Sequence, residues 1–189
     1  MDSLPSSPED IQSSTDTLAH TLTILFEHSP TLISNLIPQL AIILSQKPVA
    51  SYEELIDASL QEIANWDPSL RAQFIAGHPR IGESKNLSRL SSKEQGGAAP
   101  TPPEVLQRLE YLNGCYEQRY PGLRYITFVN GRARAVIAEE MEERLGTWRS
   151  SEHIEPLSSD DQEWKDELNR AVKDIGLIAK SRLKALGLR

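Results

Sequence analysis

Three places in this 189-residue chain carry side chains whose types and spacing suit chemistry. The first is Gly77-His78-Pro79. Gly77 ends an apolar helical pattern, and Pro79 biases His78 towards extended backbone. A histidine on so rigid a turn is placed to give and take protons. The same position also suits a histidine that only caps a helix C-terminus. The second is Ser91-Ser92-Lys93-Glu94-Gln95. Ser91 and Glu94 have capping-box spacing for a short helix. The same turn could present Glu94 as a carboxylate and Gln95 as an amide to a cleft. The third is Arg182, on a stripe with Ile175, Ile178 or Ala179, and Leu186. A guanidinium there must find an anion or reach water. It is either a snorkelling or internally paired arginine, or a fork for a substrate carboxylate.

The remaining chemistry-bearing residues are plainer. His20, His28 and His153 read as surface or structural histidines, with no triad or metal spacing around them. Cys115 falls in a helical pattern near Leu112 and reads as core. A single cysteine excludes an internal disulfide framework and a Cys-rich metal site. There is no G-x-G-x-x-G, P-loop, H-E-x-x-H, G-x-S-x-G or C-x-x-C. Neither a nucleotide nor a zinc ion is expected.

The elements that must position these residues read as helix after helix. Thr15 or Asp16 caps a segment with Leu18, Leu22, Leu25 and Phe26 on one face. Ser29-Pro30 opens the next, through Leu32, Leu36, Leu40 and Leu44, with a kink or break expected at Pro38. Ser51 to Glu54 is a capping box, Asp67-Pro68 starts a helix ended by Gly77, and Thr101-Pro102-Pro103-Glu104 is a further cap signature. Val136 to Leu145 and about Ser159 to Leu186 complete the helical pattern. Arg124 to Val129 has strong β propensity but no second strand to pair with, so an extended segment over about 124–130 is expected. The chain reads as all-α, a single-domain multi-helix bundle over 15–189 behind a mobile Ser/Pro/acid-rich tail at 1–14.

Composition narrows the function. Twenty Lys+Arg against 27 Asp+Glu give a net charge of −7, and a pI near 5.2 argues against nucleic acid as a partner. The longest apolar stretch, about Leu36 to Leu44, is interrupted and too short for a bilayer. The N-terminus lacks a secretory pattern. A soluble intracellular protein is expected.

Four stretches in order carry a resemblance. They are Leu25-Phe26-Glu27-His28-Ser29-Pro30, Gly77-His78-Pro79-Arg80-Ile81-Gly82, Ser91-x-x-Glu94-Gln95, and Tyr125-Ile126-Thr127-Phe128-Val129-Asn130-Gly131-Arg132 followed by Glu143-Arg144-Leu145. Together they resemble the 2-oxo-4-hydroxy-4-carboxy-5-ureidoimidazoline (OHCU) decarboxylase family of urate degradation, over about residues 15–187. The resemblance implies an all-α, cofactor-independent lyase, commonly a homodimer, that converts OHCU to (S)-allantoin and CO2. It implies His78, Glu94 and Arg182 as catalytic residues, with His78 as proton donor. Pro79, Ser91, Gln95, Tyr125, Ile126, Thr127, Phe128 and Val129 are implied as substrate contacts, with no metal. Arg80-Ile81 departs from the family's usual Asp-Leu. A non-catalytic helical binding domain, or a lyase for a related ureido compound, would share much of this pattern. Family members are cytoplasmic or peroxisomal, and the end Leu186-Gly187-Leu188-Arg189 is not an S-K-L-type address.

Overall fold

The computed structural model describes residues 4–5, 8–11, 14–83, 87–95, 100–146 and 154–187. Among them the protein is all-α, with no strand. The helices are α1 (Pro8–Ile11), α2 (Thr15–Phe26), α3 (Ile37–Gln46), α4 (Tyr52–Asn65), α5 (Pro68–Ala76), α6 (Arg89–Gln95), α7 (Pro103–Arg119), α8 (Arg134–Leu145) and α9 (Gln162–Ala185). No helix among the described residues is long and apolar enough to cross a membrane. Two compact units make up the fold: Met1–His78 with Val172–Arg189, and Pro79–Ala171.

In the first unit the apolar faces read from the sequence are the buried ones. Leu18, Leu22, Leu25 and Phe26 of α2, Leu40 and Leu44 of α3, Leu55, Ile56 and Ile63 of α4, and Phe74 and Ile75 of α5 are all buried. Burying one such side chain contributes ~1.5–3 kcal/mol. Phe74 is the aromatic hub, with ring centroids 6.2 Å from Phe26 and 5.9 Å from Trp66. Within 1–14, Ile11 is buried and the Tyr52 hydroxyl donates to the Pro5 carbonyl. One apolar residue in a polar stretch has no periodicity by which to be read. The second unit packs α7 against α8, burying Leu109, Leu112, Tyr116, Ile137, Met141 and Leu145.

Helix starts follow the sequence in kind and differ in detail. Ser29 Oγ accepts from Leu32 N at 3.1 Å, and Asp67 Oδ1 from Leu70 N at 3.0 Å. Ser51 Oγ accepts from Glu54 N, while Glu54 reaches back to Ala50 N rather than to Ser51. The cap of α2 is Ser14, one residue before the expected position, because its extended backbone aims Oγ at Thr17 N. The cap of α6 is Ser88, whose Oγ accepts from Ser91 N at 3.1 Å. Ser91 is therefore inside the helix and not its cap. Thr101 caps nothing: Pro102 holds the N-cap position of α7, and Thr101 Oγ1 accepts from Arg134.

Pro38 produces no break. A π-helical turn, Leu32–Leu36, precedes it, and Ile37 N donates five residues back to Leu32 O. That widened turn absorbs the missing Pro38 N–H and makes room for its ring. Where the extended segment was expected, residues 123–129 form neither helix nor strand. The Gly96 to Pro100 loop falls outside the described residues except at Pro100.

Gly77 shows what sets the His78 turn. Its φ of −69° suits any residue, yet a Cβ there would lie 2.4 Å from Ser29 Cβ. The two chain segments meet where only hydrogen fits. Overpacking typically costs ~1–3 kcal/mol, so Gly77→Ala is expected to lower the melting temperature by roughly 3–10 °C. An unchanged thermal melt followed by circular dichroism would show that this approach is not required.

Candidate functional site

The residues singled out from the sequence fall in both units. His78 and Arg182 belong to the first. Pro79, Ser91, Glu94, Gln95 and the segment Tyr125 to Val129 belong to the second.

In the first unit, His78 and Arg182 share a charged cluster with Glu27. Arg182 is only 2 % exposed. Its Nη2 donates to Glu27 Oε1 at 2.6 Å, and Nη1 donates to the carbonyls of Ile24 at 3.1 Å and Leu25 at 3.4 Å. Those carbonyls lie in the last turn of α2, where helix partners run out and the dipole favours a cation. Of the two sequence readings of Arg182, internal pairing describes these contacts. Glu27 itself sits at φ 66°, ψ 152°, a region in which side chains other than glycine's are strained by about 1–3 kcal/mol. That backbone carries the Glu27 carboxylate to the guanidinium. The sequence contained Glu27 within its first motif, but only as a landmark.

His78 is 4 % exposed, with Nδ1 3.2 Å from the Phe74 carbonyl and its ring edge-on to Phe74 at 5.4 Å. A carbonyl only accepts, so Nδ1 carries the proton and Nε2 the lone pair. Burial, first, and the Arg182 charge, second, push its pKa down to about 4, against the opposing pull of Glu27. At neutral pH His78 is an uncharged ring. It can take a proton, and it can donate one only after doing so.

In the second unit, α6 buries Ser91 and Gln95 and leaves Glu94 half-buried. Gln95 Oε1 accepts from Gly82 N at 3.0 Å, and its Nε2 donates to Arg80 O at 3.2 Å. The amide thus ties down the turn that follows Pro79, where Gly82 takes φ +85° against Leu109. Gln95 Oε1 also lies 3.5 Å from Arg134 Nη2. Pro79 is half-buried, as are Thr127, Phe128 and Val129, while Tyr125 and Ile126 are buried.

Backbone groups of the irregular run 123–129 have no strand among the described residues to pair with and must be satisfied otherwise. Arg170 Nη1 donates to Ile126 O at 2.8 Å and stands 5.3 Å over the Tyr125 ring. Arg132 donates to Phe128 O, to Val129 O at 3.0 Å and to Thr127 Oγ1 at 3.0 Å. Arg170 is fixed in turn by Glu167, which is 4 % exposed and accepts from Tyr116 OH at 2.6 Å and Arg144 at 2.9 Å. Sequence reasoning missed both arginines as supports. An isolated strand-like run was the available signal that side chains must hold it. Among the described residues, no three His, Cys, Asp or Glu side chains cluster as a metal site would need.

Comparisons with known proteins agree with one another. The model of the family described as OHCU decarboxylase matches residues 12–184. A 2-oxo-4-hydroxy-4-carboxy-5-ureidoimidazoline decarboxylase from Halalkalicoccus jeotgali is 24% identical over 144 residues, covering 75% of this chain and 73% of that protein. One of the same name from Haloferax volcanii is 26% identical over 133 residues, 68% of this chain and 73% of that protein. A uric acid degradation bifunctional protein from Bacillus subtilis is 29% identical over 148 residues, 77% of this chain but 28% of its own length. The crystal structure of an (S)-allantoin synthase superposes with a TM-score of 0.60 at 18% identity, over 95% of this chain and 54% of that one. That last likeness is one of fold.

Two outcomes follow from the His78–Arg182–Glu27 cluster. The unfolded state takes up a proton on His78 near pH 6.5, whereas the folded state resists until about pH 4. Stability is therefore lost as pH falls through that window and is unaffected above it. In urea titrations between pH 6.5 and 5, His78→Gln is expected to show a shallower loss than the wild type. A parallel pair of curves would contradict the lowered pKa. Arg182→Lys keeps the charge but not the fork, leaving at least one acceptor unmet, so unfolding free energy should fall by about 1–3 kcal/mol. Wild-type stability in that variant would remove the internal pairing from its supporting role.

Proposed function

The chain belongs to the OHCU decarboxylase family, and from that premise we propose that it removes CO2 from 2-oxo-4-hydroxy-4-carboxy-5-ureidoimidazoline to give (S)-allantoin, as a carboxy-lyase of urate degradation. What carries the reading is a buried, uncharged histidine at the family's histidine position, with its tautomer fixed by Phe74 and its pKa held down beside Arg182.

The chemistry suits such a group. When CO2 leaves C4, the bonding pair forms a C4=C5 double bond as the ring's C=N pair moves to nitrogen, which takes up a proton. The enol so formed gives up its 4-hydroxyl proton to become the carbonyl, and C5 takes one. In this reading Nε2 of His78 accepts the hydroxyl proton and the resulting imidazolium delivers a proton to one face of C5. The donor role implied by the resemblance thus comes second, after His78 has acted as a base. Arg182 serves from inside the protein: paired to Glu27, it keeps His78 in its basic form. Glu94, Gln95, Ser91, Pro79 and the segment Tyr125 to Val129 are substrate contacts in this proposal, carried over by motif. The ring supplies its own electron sink, so the reading needs no cofactor. A homodimer is part of it, as is a cytoplasmic or peroxisomal setting.

Circular dichroism of freshly generated OHCU tests the proposal. Wild-type protein should accelerate the appearance of the (S)-allantoin signal over the buffer blank. His78→Gln should lower the rate ~10²–10⁴-fold, the usual contribution of a positioned acid–base group. Folded wild-type protein that matches the blank would sink the proposal.

A further inference from the structure

Two arginines of the second unit, Arg80 and Arg108, grip a carboxylate along one edge of the guanidinium. Arg80 holds Glu117 through Nε at 2.6 Å and Nη2 at 2.7 Å. Arg108 holds Glu142 through Nε at 2.8 Å and Nη2 at 2.6 Å. This is the two-bond fork that makes arginine selective for carboxylates.

Arg134 has no such grip among the described residues. Its Nη1 donates to Thr101 Oγ1 at 3.0 Å, its Nη2 has only the long 3.5 Å contact to Gln95 Oε1, and its Nε is buried without a hydrogen-bond partner. Both of its oxygen contacts are uncharged. Burial pulls its pKa down, with no carboxylate to pull it back. Position makes this costlier. Arg134 is the first residue of α8, whose first turn contains no acidic side chain, and a cation there opposes the helix dipole. A guanidinium that is half-buried, on the wrong end of a helix and, among the described residues, without a counter-ion is costly to keep for stability alone. It is well suited to receive an anion from outside.

The geometry points to Arg134 as the residue that receives the substrate's carboxylate, on its Nη2 side beside Gln95. This rests on the decarboxylase reading, under which Gln95 contacts the substrate and the leaving carboxylate is the substrate's one anionic group. It also bears on the sequence reading, which offered that task to Arg182 as one of two alternatives. Arg182 is engaged by Glu27 and two carbonyls. The carboxylate is held until its bond to C4 breaks, so Arg134 contributes to substrate binding and not to the barrier of the bond-breaking step.

Steady-state kinetics on Arg134→Gln and Arg134→Lys test this, with (S)-allantoin, which lacks the carboxylate, as a competitive inhibitor. Losing a charge-assisted contact should raise the KM for OHCU roughly 10- to 150-fold in Arg134→Gln. The kcat should stay within about threefold, and the inhibition constant of allantoin should stay unchanged. Arg134→Lys, which keeps the charge without the fork, should fall between the two. Thermal melts should show no loss of stability in Arg134→Gln. An unchanged KM, or a KM and an allantoin constant that rise together, would overturn the assignment, as would a fall in kcat with KM intact. Wild-type protein that does not turn over OHCU would instead overturn the decarboxylase reading, so the two failures are distinguishable.

Discussion

A guanidinium almost without access to water has to be answered inside the protein, and the answer given to Arg182 organises the first unit. Glu27 and the last carbonyls of α2 supply it. The consequence for the backbone is a residue other than glycine at positive φ directly after α2. The consequence for chemistry is a histidine held neutral near a fixed positive charge. Burying such a pair gives little net stability compared with apolar packing. Its worth lies in fixing where a charge stands and which protonation state a neighbour adopts.

The second unit applies the same rule to backbone. The irregular run 123–129, with no strand beside it among the described residues, leaves carbonyls that water or side chains must meet. Arg170 and Arg132 meet them, and Glu167 holds Arg170 in place with Tyr116 and Arg144. Burial pushes the Tyr116 hydroxyl well above its ordinary pKa, with the Glu167 charge acting in the same direction. That phenol therefore remains a donor throughout the neutral range. In both units, buried ionic groups shape polypeptide that has no regular hydrogen-bond ladder of its own.

Most of the fold was legible because apolar spacing repeats at helical period over long stretches, and because Ser29, Ser51 and Asp67 announce helix starts. The misreadings share a cause. Ser14, Ser88 and Pro102 became caps through backbone conformation, which one side-chain type does not reveal when serines and prolines adjoin. The residues of the candidate site were legible by type at His78, Gln95 and Arg182. Their partners were not, since Glu27 is 155 residues from Arg182 in the chain. Arg134 stands in a run of charge, Arg132-Ala133-Arg134, where nothing in the pattern separates the arginine with a glutamate from the one without. Only the distances make that distinction.

The π-helical turn before α3 also bears on how the chain could change over time. Such a turn accommodates one residue more than a regular helix, and here it makes room for Pro38. Deleting one residue from Leu32–Leu36 would leave α3 facing the same way, but it would drive the proline ring into the preceding turn. Replacing Pro38 first removes that obstacle, and the surplus residue can then be lost. The two changes are permitted in one order and penalised in the other, so a single imino acid acts as a ratchet on the length of this helix.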